Sequence, residues 1–110
     1  MLTVTVYPDD VAAMLSVLNH YVYVGNQPLV KQPINGLILL TYFRTWSLPR
    51  IYMWNKIRHD REYTLRMPKL VALALFDEMT SSHITPQQQG FLDKLSYAIL
   101  NHKDLYTIHL

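Results

Sequence analysis

The stretch Leu37–Trp54, LILLTYFRTWSLPRIYMW, decides how this chain folds. It opens with four consecutive aliphatic residues and holds both tryptophans and five of the chain's thirteen aromatic residues. Aromatic and branched side chains carry the largest transfer free energies, about 1.5–3 kcal/mol each when fully buried. The chain must therefore wrap around this segment or cover it with a partner.

Upstream, Leu2, Val4 and Val6 alternate with Thr3, Thr5 and Tyr7, the period of a short strand. Pro8 stops it, and Asp9 or Asp10 is placed to cap a helix. Val11, Met14, Leu15, Leu18 and Val22 then recur at helical spacing up to Gly25. After a loop with two prolines, residues 26–33, the spacing predicts a helix over 34–47 that is apolar on most sides, the pattern of a helix buried between others.

Downstream the pattern is ambiguous. Ile51, Met53 and Ile57 alternate with Tyr52, Trp54 and Lys56, and Tyr63, Leu65 and Met67 alternate with Glu62, Thr64 and Arg66. We read a hairpin near 50–67, turning at His59–Arg61, although no Asn-Gly or Asp-Gly marks the turn. The competing reading is a helix capped by Asp60; Met67 favours the hairpin, because a residue before proline is pushed towards extended geometry. Pro68 then opens a helix containing Leu70–Met79, with Ala72, Leu75, Phe76 and Met79 as its main stripe. Thr85, Pro86 and Gln88 form a capping box with a first-turn proline, and Phe91, Leu92, Leu95, Ala98 and Ile99 line one face of the last helix. Gly90 sits inside that helix at a cost of about 1 kcal/mol relative to alanine. Leu105–Leu110 alternates again and reads as a closing strand beside residues 2–7. The expected fold is mainly α, a compact bundle-like arrangement of about four helices, with short terminal strands and the hairpin as minor β.

Length and composition narrow the function. The 110 residues suffice for one domain, 1–110, with one core. The chain has no cysteine, which removes disulfides, thiolate metal sites and thiol nucleophiles and fits a reducing cytoplasm. No apolar run approaches the roughly 20 residues of a membrane span, and no targeting segment is visible. Charged residues make up 16% of the chain against about 25% in ordinary domains, so part of the surface is expected to face another chain.

Chemistry-bearing patterns are sparse. His20, His59, His83, His102 and His109 show no metal-helix spacing, and His59-Asp60 is a bare pair. The carboxylates Asp9, Asp10, Asp77, Glu78 and Asp93 read as caps or solvated positions, the serines have no paired base, and three glycines build no phosphate loop. No enzyme, cofactor, metal or small-molecule substrate is expected.

Two functional expectations remain. The first is a non-enzymatic protein–protein interaction module, homodimeric or a subunit of a larger assembly, with Tyr42, Phe43, Trp46 and Trp54 at or near the contact. The alternative is a nucleic-acid-binding protein using segment 44–69. There Arg44, Arg50, Lys56, Arg58, Arg61, Arg66 and Lys69 face only Asp60 and Glu62, a net +5, with Trp46, Tyr52, Trp54 and Tyr63 interleaved. Cations that neutralise phosphates and rings that stack on bases are what single strands require.

Overall fold

A computed structural model describes residues 1–24 and 34–101, with side chains described for 1–19 and 34–101. The elements run β1 (Leu2–Val6), α1 (Pro8–Val24), α2 (Ile34–Phe43), α3 (Leu48–Lys56), β2 (Tyr63–Met67), α4 (Lys69–Thr80) and α5 (Pro86–Leu100). The fold is mainly helical with minor β, as the patterning predicts, and among the described residues five helices take the place of about four. The stop at Gly25, the loop 26–33, the side chain of Val22, the closing strand 105–110, and His20, His102 and His109 lie outside these described ranges.

The strands form a two-stranded antiparallel sheet in the register Leu2↔Met67, Val4↔Leu65, Val6↔Tyr63. Leu2, Val4, Val6, Leu65 and Met67 point inward, each at most 2% exposed, while Thr3, Thr5, Thr64 and Arg66 face solvent. That inner face packs against Met14 and Leu18 of α1, Leu39 of α2, Leu75 and Met79 of α4, and Phe91 and Leu95 of α5 in one core.

Local chemistry explains the helix starts. The Tyr7 backbone N–H donates to Asp10 Oδ2 at 2.8 Å, so Asp10 closes α1 from inside its first turn, where Asp9 also lies. Pro8 occupies the first helical position, where no N–H is needed. The capping box of α5 forms as read: Thr85 Oγ1 accepts from the Gln88 N–H and Gln88 Oε1 accepts from the Thr85 N–H. Gln88 Nε2 also donates to Ser16 Oγ at 2.8 Å, which ties the start of α5 to α1.

The hairpin near 50–67 is corrected. Its first arm is helix α3, started by Ser47, whose Oγ accepts from the Arg50 N–H, with Pro49 in the first turn. Ile51, Trp54 and Ile57 recur three residues apart and turn inward together, whereas Tyr52, Met53 and Lys56 are exposed. A run in which every second residue is apolar fits a strand, yet here the bulkiest residues sit at helical spacing, and a good cap precedes them. Only the second arm is a strand, and it pairs with β1. Asp60 starts no helix; it accepts from Arg58 through both carboxylate oxygens. Helix α2 is also shorter than 34–47. It closes at Phe43 through a tight turn in which the Thr45 N–H and hydroxyl both donate to the Tyr42 carbonyl and the Trp46 N–H donates to that of Phe43. That turn swings Trp46 into the core.

Candidate interaction surface

Helices α2 and α4 pack side by side in opposite directions. At one end Asn35 Nδ2 donates to Asp77 Oδ2 at 2.7 Å; at the other, Thr41, Tyr42 and Thr45 lie across from Pro68, Leu70 and Val71. Between them runs an open groove of about 400 Å³ whose walls include Leu37, Ile38 and Leu70. The α4 stripe divides: Val71, Ala72, Ala74, Leu75 and Met79 face the core, whereas Leu70 (67% exposed), Leu73 (40%) and Phe76 (37%) face outward. Phe76 thus departs from the inward stripe expected for it. On α2, Ile34 is 75% exposed, and Thr41, two turns further along the same side, is exposed as well. The result is an apolar face across two helices with no charged residue in its middle. Helix α3 carries a smaller apolar patch, where Leu48, Pro49 and Tyr52 are exposed.

Of the expected contact residues, Tyr42, Trp46 and Trp54 are 6–7% exposed and belong to the core, and Phe43 is half-buried against it. Trp54 meets Tyr63 edge-on at 5.9 Å, and Trp46 meets Tyr42 edge-on at 6.4 Å. The Tyr42 hydroxyl and the Trp46 indole N–H are buried, and neither makes a hydrogen bond of good geometry, although the Trp46 and Arg50 N–H groups lie near enough to the hydroxyl to favour its ionised form. Burial pushes the Tyr42 pKa up. The apolar surface open to a partner includes the outer face of α2 and α4, whose groove Tyr42 helps to line, and the smaller patch on α3.

The basic segment does not gather into one bed. Arg50 lies 3.8 Å above the Trp46 ring, and Lys56 lies 4.4 Å above Tyr52. Arg58 is clamped to Asp60, whose carboxyl it holds below the usual range. Arg66 projects from the outer face of the sheet, opposite Thr3, while Arg44 and Arg61 are exposed elsewhere and Lys69 is half-buried at the start of α4. Of the four interleaved aromatic residues only Tyr52 is exposed, with Lys56 over its ring. A row of open rings for stacking bases is missing from the described residues.

A polar cluster at the junction of β1 and α1 escaped sequence reasoning, because its members are far apart in the chain. Asp10 pairs with Lys94, whose Nζ also lies 4.5 Å above the Tyr7 ring. Asp9 accepts from His59 Nδ1 at 3.0 Å, and the Asn55 carbonyl accepts from Nε2 at 3.0 Å. Both ring nitrogens face acceptors, so the imidazolium is favoured and the His59 pKa is raised, chiefly by the Asn55 carbonyl and then by Asp9. A histidine held this way has no free nitrogen to take a proton from a substrate. No group of three His, Asp or Glu side chains fit to hold a metal ion occurs among the described residues. No helix among them is long and apolar enough to cross a membrane. Comparison with protein-family models, curated proteins and solved structures finds no match.

Proposed function

We propose that the chain is a non-enzymatic protein–protein interaction module, a homo-oligomer or a subunit of a larger assembly, that docks through the outer face of α2 and α4. The observation that carries this reading is the exposure of Ile34, Leu70 and Leu73 around the α2–α4 groove. Neighbouring exposed apolar side chains with no charge among them are what interfaces cover. The scarcity of charge supports it, and the absence of cysteine supports a cytoplasmic setting.

The test is site-directed photocrosslinking in the expressing cell, with p-benzoylphenylalanine at Leu73 and, as a control on another face, at Tyr97, which is 72% exposed. Discrete protein adducts at Leu73 and none at Tyr97 are expected. A Leu73 probe that yields no adduct above the Tyr97 background sinks the proposal.

A further inference from the structure

Resting on that reading, we infer that the partner is a second copy of this chain, bound through the α2–α4 face about a two-fold axis that sets the two faces antiparallel. The argument is the order of groups along the face. Asp77 stands at one end, where its carboxylate meets Asn35. Arg44 is exposed at the opposite end, one turn beyond Thr41, where its backbone N–H donates to the Leu40 carbonyl, and neither it nor Asp77 has an ion-pair partner among the described residues. The distance between those ends is about nine helical residues, or roughly 14 Å. Between them lie Leu37, Ile38, Thr41, Leu70 and Leu73, uncharged throughout, with Ile34 beside the Asp77 end.

A stripe that is acidic at one end, basic at the other and apolar between is complementary to itself when reversed. A two-fold axis performs that reversal, because every contact i to j is repeated as j to i. Asp77 of each copy then meets Arg44 of the other, twice per dimer, and Leu73, midway along α4, meets the neighbourhood of its own symmetry mate. A parallel arrangement would stack Asp77 on Asp77 and Arg44 on Arg44. Exposed ion pairs contribute little affinity, so their role is to choose this orientation, while the apolar middle supplies the hold.

The experiment is sedimentation equilibrium of the full chain, with circular dichroism to verify folding. The unmodified chain is expected at twice its 12.9 kDa. Leu73→Arg, which sets like charges near the axis, is expected to give a folded monomer. Asp77→Arg and Arg44→Asp should each weaken the dimer about tenfold or more, and the two together in one chain should restore it, since both pairs are then reversed. Should Leu73→Arg fail to fold, the charge-reversal set decides alone. A monomer at 100 micromolar, a dimer indifferent to every substitution, or reversals that each weaken but do not rescue one another would overturn the inference. A monomer whose Leu73 photocrosslinks only to a different protein overturns this inference and leaves the proposed function standing; no adduct at Leu73 removes both.

Discussion

Replacing Gly90 by alanine is expected to stabilise the chain. Glycine inside a helix costs about 0.8–1.0 kcal/mol relative to alanine, because the unfolded chain surrenders more backbone freedom there. The gain is realised only if a methyl group fits. Gly90 lies in the second turn of α5, on the side that meets α1, and is half-buried. A Cβ placed on its backbone meets Asp10 Oδ1 at 3.9 Å, ordinary van der Waals contact, with no other neighbour as near. Its φ is also negative, so the residue is not held in a conformation that glycine alone tolerates. The full propensity gain should therefore appear, about 0.8–1.0 kcal/mol. With an unfolding entropy of about 2.1 cal/mol/K per residue over 110 residues, that raises Tm by about 4 °C. Differential scanning calorimetry and urea titration at pH 7 measure it. An unchanged or lowered Tm would refute the reasoning: either α5 approaches α1 more closely than the geometry here, or the methyl group disturbs the Asp10–Lys94 pair.

Thr85→Ala should cost about 1 kcal/mol in denaturant titration; Gln88→Ala should cost at least as much, because it also breaks the tie to Ser16, and two silent substitutions would place the helix start elsewhere. Tyr42→Phe should leave stability unchanged or raise it by up to about 1 kcal/mol, because it deletes a buried hydroxyl that makes no hydrogen bond of good geometry and keeps the ring; a clear loss would show that the nearby Trp46 or Arg50 N–H donates to that hydroxyl. His59 titrates above its ordinary value of 6.5, so its contribution to stability is fully present below 6.5 and is lost as pH rises through the folded value; His59→Ala should flatten stability across that window, and an NMR-measured pKa at or below 6.5 contradicts the account. Fluorescence anisotropy with a single-stranded oligonucleotide should show no binding at about 0.15 M salt, and binding that falls steeply as salt rises would return the basic segment to consideration.

The elements that could be read from the chain are those whose signal is local. The α5 cap spans four residues, Thr85 to Gln88, and the β1 alternation is complete within one short strand, so neither depends on distant parts of the fold. Segment 48–56 was misread because its period-two and period-three patterns overlap on the same residues. Ile51 belongs to both, whereas Trp54 falls on the opposite side from it in the period-two reading and on the same side in the helical one, and only the tertiary position of Trp54 against Tyr63 separates the two. The interaction face posed the opposite problem. Helices α2 and α4 are apolar nearly all round, so hydrophobicity alone cannot say that Leu75 is inside and Leu73 outside. Bulk misdirected the choice further: Trp46 and Trp54 were the most adhesive residues in the chain, and for that reason the core took them first. The net +5 of 44–69 was legible as a sum; that Arg50 and Lys56 lie over rings and Arg58 pairs with Asp60 was not.

Pairing β1 with β2 has a consequence for the order in which the molecule is made. β1 is synthesised before β2, and α1, α2 and α3 are encoded between the two. Closing a loop of about 60 residues costs about 3.6 kcal/mol plus a constant, and no part of that is recovered while β2 is still untranslated. Until then Leu2, Val4 and Val6 have no strand to pair with, and Trp54 lacks Tyr63 beside it. A nascent chain halted before Tyr63 thus carries three of the five helices and an apolar strand waiting at its front. During translation that strand is a handle for chaperones and a liability for aggregation, and the arrival of β2 retires both roles in one step.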